Sequence, residues 1–137
     1  MPRLLYAMVC NDIIVDRETG ATSFIRTIEH AVVPQLPVTL PPLYVGTMWE
    51  MEGKEDFSVA LQLVSPDGKA ETLGVQDVKP TGSMLHKLNF QLPGVPVAAE
   101  GRHLLALSVR KESDWENVQE LPIFIFKESA QKEQRPS

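Results

Sequence analysis

Three histidines, one cysteine and two groups of carboxylates are the side chains of this 137-residue chain that could bind a metal, attack a substrate or move a proton. His30, His86 and His103 stand in three different segments, with no His-x-His, His-Glu-x-x-His or Cys-x-x-Cys spacing. Zinc asks for three or four convergent nitrogen or sulfur ligands, which one cysteine and scattered histidines supply poorly. His86 falls on the apolar side of its segment and reads as a hydrogen-bonded core or rim residue. Cys10 would need a histidine partner and partial exposure to act as a thiolate nucleophile. It closes an apolar run instead, so it reads as a small buried hydrophobe. No Gly-x-Ser-x-Gly elbow, Walker-type loop or Gly-x-Gly-x-x-Gly occurs. The acidic stretches Asp12–Glu18 and Glu50–Asp56 lack the twelve-residue calcium-loop pattern and read as solvated turns. The expectation is no catalytic residue, no metal and no cofactor: a protein that is not an enzyme.

Recognition chemistry is better represented. Tyr44 and Met48 point away from the apolar face formed by Leu43, Val45 and Trp49, while Trp115 sits in the otherwise polar Glu112-Ser113-Asp114-Trp115-Glu116. Exposed Trp, Tyr and Met are the residue types that anchor protein interfaces. These three are the candidate binding residues.

The elements that must position them are strands. Eleven prolines, nine of them between 34 and 122, leave no room for long helices. The pieces between them alternate with period two. Phe57, Val59, Leu61 and Leu63 share one face of 57–64. The same alternation runs through 43–51, 84–92 and 103–110. Segments 4–10 and 121–126 are apolar on both faces, and 72–78 is a weaker strand. In segment 22–33, Phe24, Ile28 and Val32 are spaced by four, which would also suit a helix, but its β-branched residues favour a strand with a bulge or break. Asp16–Gly20 and Ser65-Pro66-Asp67-Gly68 carry hairpin-turn chemistry. Four prolines in 34–42 predict an extended crossover, and Pro122 marks 121–126 as an edge. About eight strands so spaced imply an all-β fold, an antiparallel two-sheet β-sandwich of Ig-like or jelly-roll-like form.

Size and charge bound the rest. A compact chain of this length buries roughly 68% of its unfolded surface, enough for one core. One domain over 1–128 is expected, followed by a polar tail, 129–137, that frays. The net charge is −5, and only four of thirteen basic residues precede Gly68. That sign repels phosphate backbones, so no nucleic-acid partner is expected. A lone cysteine forms no intrachain disulfide, and the apolar run 4–10 is short for a signal peptide and far short of a bilayer span. A cytoplasmic protein without membrane association follows.

The opening "LLYAMVCNDIIVDRETGATSFIRTIEHAVVPQLPVTLPPLYV" resembles a family of small bacterial proteins known only as a domain of unknown function, DUF6941. The shared pattern is a first strand ending in Cys and an acidic residue, here Val9-Cys10-Asn11-Asp12, and a Thr-Gly turn, here Thr19-Gly20. A hydrophobic segment and a Pro-rich crossover ending near Pro41 follow, and Pro66-Asp67-Gly68 matches a later hairpin turn. The resemblance spans nearly all of residues 3–126 and implies a compact sandwich with no transferable activity or site residues. The expected function is therefore a non-enzymatic binding or assembly module, acting through a sheet surface or edge on a protein partner or on a second copy as a homodimer. The alternatives are a small ligand-binding β-barrel or hydrolytic enzyme, and a component of a phage or secretion assembly.

Overall fold

A computed structural model describes residues 2–110 and 112–128. The expected tail, 129–137, lies outside the described residues. The fold is all-β, as the alternation requires, and no described residue is helical.

Eleven strands occur among the described residues, not about eight. They are β1 Arg3–Val15, β2 Thr22–Thr27, β3 His30–Val33, β4 Val38–Leu40, β5 Leu43–Glu50 and β6 Phe57–Val64, then β7 Ala70–Val78, β8 Leu85–Leu92, β9 Val95–Val97, β10 Gly101–Arg110 and β11 Trp115–Lys127. They form three sheets rather than two, ordered β2-β1-β5-β8, β3-β11-β10-β6-β7 and β4-β9. The pairing is not wholly antiparallel either, because β3 runs parallel to β11, with His30 opposite Phe124 and Val33 opposite Lys127.

The differences have local causes. Segment 22–33 breaks between Thr27 and His30, and the chain passes there from the four-stranded to the five-stranded sheet. Within the proline-rich crossover, Val38–Leu40 is long enough to pair with Val95–Val97, giving the third sheet. Trp115 belongs to a strand rather than a loop, since β11 starts at that residue and pairs it with Arg110. The edge expected at 121–126 holds only in part, because β3 covers 124–127. Phe124 donates its N–H to the Glu29 carbonyl, so Pro122, two residues earlier, points its imino nitrogen to the same side, beyond the start of β3. The proline sits where no ladder donor is needed.

One core joins the two larger sheets. Leu43, Val45 and Trp49 of β5 and Leu88 and Phe90 of β8 belong to the same buried cluster as Leu61, Leu107 and Ile125 of the five-stranded sheet. The Trp49 and Phe57 rings meet at 5.9 Å. Trp49 donates its indole N–H to Thr47 Oγ1 at 2.8 Å, and that hydroxyl donates to the Leu88 carbonyl at 2.5 Å, so the polar atoms of this pair are satisfied inside the core. Along one side, β7 and β8 are joined across the sheets by Gln76 Nε2, which donates to the Asn89 carbonyl at 2.9 Å.

The four-stranded sheet curls over its own outer face. Residues 3–10 of β1 pair with β5, while 10–15 pair with β2. The β1–β2 hairpin folds back so that its tip carbonyl, Gly20, accepts a bond from Lys87 Nζ of β8 at 2.6 Å. Its underside, Phe24 and Ile13, lies over Gly46: a Cβ there would come within 2.6 Å of the Phe24 ring and 3.1 Å of the Ile13 methyl. Tyr6 meets Phe24 edge to face at 5.7 Å.

Candidate functional site

The curl decides what Tyr44 and Met48 can do. Both lie on the outer face of β5, Tyr44 opposite Cys10 and Gln91, Met48 opposite Tyr6 and Lys87. Because the hairpin arches over that face, both are half-buried. Cys10, on the same face, is fully buried and free. Burial pushes its thiol pKa up, outweighing the lowering by a hydrogen bond from the Asp12 backbone, and the Asp12 carboxylate adds a lesser upward push. A thiol held protonated is a poor nucleophile.

Trp115 is 41% exposed and belongs to the other large sheet. The Arg110 guanidinium lies 4.7 Å from its ring centroid, a cation–π contact that holds the indole in place. The ring forms one wall of a shallow trough of about 240 Å³ on the outer face of the five-stranded sheet, with Gln62, Thr72, Val75 and Ser108 around it and Ala60 in the lining. The floor is low because the row Ala60–Ser108 carries two short side chains. Tyr44 and Met48 are therefore not brought together with Trp115; they occupy outer faces of different sheets.

A second apolar group lies on the same face as Trp115. Phe124 and Phe126 of β11 stack at 6.4 Å with an interplanar angle of 9°. They are 38% and 48% exposed, beside Val32 of β3 at 44%. Sequence reasoning missed this patch. Its signal is the two-sided apolarity of 121–126, which fits a strand covered on both faces or one paired at an edge and does not say which side meets water. Ile123 and Ile125 do face the core, but Phe124 and Phe126 face solvent.

Three open edge stretches are poor places for a partner strand, because each carries an irregularity with one extra residue: Leu5 in β1, Leu73 in β7 and Val118 in β11. Bulges of this kind disrupt the donor–acceptor row that strand addition needs. On β11, Glu116, Glu120 and Pro122 flank the bulge and defend the edge further.

The groups with catalytic chemistry stay apart. His30 and His103 are on β3 and β10, His86 on β8 of the other sheet. His103 is buried, its Nδ1–H facing the Gly101 carbonyl at 3.2 Å, and its Nε2 meets no partner among the described residues. No group of three His, Cys, Asp or Glu among the described residues could hold a metal ion. Asp16 and Asp67 are turn caps: Asp16 accepts the N–H of Glu18 and of Thr19 at 2.8 and 2.9 Å, and Asp67 accepts from Ser65 Oγ and the Lys69 N–H at 2.5 and 3.1 Å. These bonds hold both carboxyl groups below the usual value, the Thr19 N–H contributing most at Asp16 and the Ser65 hydroxyl at Asp67. Asp12, expected in the same turn as Asp16, lies within β1 instead, and Glu50 ends β5 in an ion pair with Arg3 at 2.7 Å. Among the described residues, no helix is long and apolar enough to cross a membrane.

The profile of DUF6941, described as a family of unknown function, matches residues 5–125. No curated protein matches the chain.

Proposed function

The chain belongs to DUF6941, a family of unknown function that brings no activity with it, and from its own surface we propose that it is a non-enzymatic binding module. In this reading the two larger sheets are the layers of a sandwich, and the outer face of the five-stranded sheet meets a protein partner. The carrying observation is Trp115, exposed yet clamped over Arg110 at the wall of a trough with small residues at its floor. A rigid aromatic beside a shallow pocket is the arrangement that concentrates binding energy at interfaces. The Phe124/Phe126 pair supplies a second anchor. The row Arg102–Phe124 is eight residues along β10 from the row Arg110–Trp115. At ~3.3 Å per residue the anchors are therefore about 26 Å apart. The face between them is elongated: β6 and β7 flank β10 over Leu104–Arg110, at the Trp115 end, and β3 flanks β11 over Phe124–Lys127, at the other. On the five-stranded sheet, the bulges in β7 and β11 favour the face over strand addition. Tyr44 and Met48, beneath the hairpin, support that layer rather than the interface. The buried free Cys10 suits a reducing compartment such as the cytoplasm.

A photo-crosslinking amino acid placed at Trp115, and separately at Phe124, tests this in cells that make the protein. Both positions are expected to give the same discrete adduct, and a crosslinker at exposed Gln91 on β8 none. An adduct of twice the chain mass identifies a second copy as the partner; any other single mass identifies a different protein. No adduct from Trp115 and Phe124, or equal yield from Gln91, overturns the reading.

A further inference from the structure

The passage of residues 26–33 from one sheet to the other opens a cleft of about 400 Å³ between them, bordered by Val32 at the Phe124/Phe126 end of the five-stranded sheet and remote from Trp115. Its inner lining is apolar and buried: Val33, Leu40, Leu43 and Ile123. Its mouth is polar, with Arg26, Thr27, Glu29 and His30. Volumes of this size lie within the range of small-molecule sites, which combine an apolar body with a few polar groups. At ~30 Å³ for each water-sized atom, the cleft holds roughly 13 heavy atoms.

Arg26 is the residue that asks for an explanation. Its φ is +55°, the left-handed region, and it is the one non-glycine so placed among the described residues. A long side chain there is strained where glycine would not be, and such strain persists where the surroundings impose it, often at ligand sites. Arg26 makes no ion pair with any described residue. The neighbouring carboxylate, Glu29, is instead engaged by Thr27 Oγ1, which donates to its Oε1 at 2.9 Å. The mouth thus offers an uncommitted guanidinium above an apolar pocket, and a guanidinium forks onto a carboxylate through two parallel hydrogen bonds.

We propose that this cleft binds a small amphipathic carboxylate, its apolar body against Leu40, Leu43 and Ile123 and its head on Arg26. Decanoate, at twelve heavy atoms, is a suitable probe, with decanol and decylamine as the neutral and cationic controls. Titrated into the full ¹⁵N-labelled chain, decanoate is expected to give saturable amide shifts confined to 26–33 and the strands around the cleft. It should bind at least tenfold more tightly than decanol, and decylamine should bind no better than decanol. Arg26→Gln should remove the preference for decanoate while leaving decanol binding unchanged. Arg26→Gly separates ligand chemistry from folding: it relieves the left-handed strain, so the melting temperature should rise while the decanoate preference disappears. Absence of saturable shifts, equal binding of the three probes, preference for decylamine, or an undiminished preference in Arg26→Gly each overturns the proposal. None of these outcomes touches the crosslinking result at Trp115.

Discussion

At the scale of single residues, the polar groups most easily mistaken for chemistry are structural. Asp16 and Asp67 each close a turn by accepting bonds from hydrogens two or three residues away, and both are exposed to water. Their pKa values are lowered from 3.8 in the folded chain, so the folded state binds fewer protons than the unfolded one near that pH. Their contribution to stability is therefore fully present above about pH 4 to 5 and is lost as pH falls through the lowered folded values. Replacing both with asparagine should lower the melting temperature at pH 6 by a small amount, since both sites are solvent-screened. The difference from the parent should shrink below pH 3. Thermal melts across pH 2.5–7 check this, and a gap that stays constant with pH would show that charge is not what the turns use. The turn role of both residues was legible in the sequence, because Asx-type capping needs only neighbours in the chain. The exposure of Phe124 and Phe126 was not, since alternation assigns residues to faces without saying which face meets water.

At the scale of elements, the β1–β2 hairpin carries the largest departure from the sequence reading. Asn11 and Asp12 are two exposed residues in a row, where the inward–outward alternation of Val9 and Cys10 loses phase. A polar pair at that point reads as the end of a strand, yet the strand runs on to Val15 because β2 takes over pairing from β5 at Cys10. Pairing with a new partner is a tertiary event that local pattern does not record. Gly46 is likewise unremarkable in sequence, but it is the gap into which Phe24 fits. The hairpin behaves as a cover, and Cys10 lies at its hinge. In native buffer Cys10 should resist thiol reagents, through both burial and its raised pKa, and react only when the hairpin opens. Phe24→Ala removes the ring that seats the hairpin. It should raise the labelling rate by at least tenfold and cost about 1–3 kcal/mol, below the ~3–5 kcal/mol of a core aromatic truncation because Phe24 is half-buried. Gly46→Ala, which forces the same ring outward, should act in the same direction. Labelling kinetics in the two variants, with urea titrations for stability, distinguish a cover from a passive loop. An unchanged rate in both shows that something else protects Cys10.

At the scale of the whole molecule, the faces of the central strands were legible while their partners were not. The alternation in 43–51 and 57–64 places Trp49 and Phe57 on buried faces. Nothing in one sequence says that β5 lies between β1 and β8, or that β3 joins β11 in parallel, since these contacts are separated by tens of residues. The three-residue strands β4 and β9 are too short to carry a periodic signal. What the assembled topology adds is a core shared by both large sheets, crossed by Trp49 and Phe57 and stitched along one side by Gln76 to Asn89. A core shared in this way predicts one cooperative transition, because neither large sheet keeps its apolar face covered once the other leaves. In Trp115→Phe the remaining tryptophan, Trp49, reports the space between the sheets. Its fluorescence transition in urea should superimpose on the far-ultraviolet circular dichroism of all strands. Leu107 is fully buried on the opposing sheet, so Leu107→Ala in that background should cost about 2–5 kcal/mol. Both curves should then move to lower urea together, with unchanged slope. If Trp49 is released at lower urea than the strand signal, the sheets separate before they unravel. The chain would then behave as two layers with a weak joint, and the face carrying Trp115 would gain its rigidity from its own sheet alone.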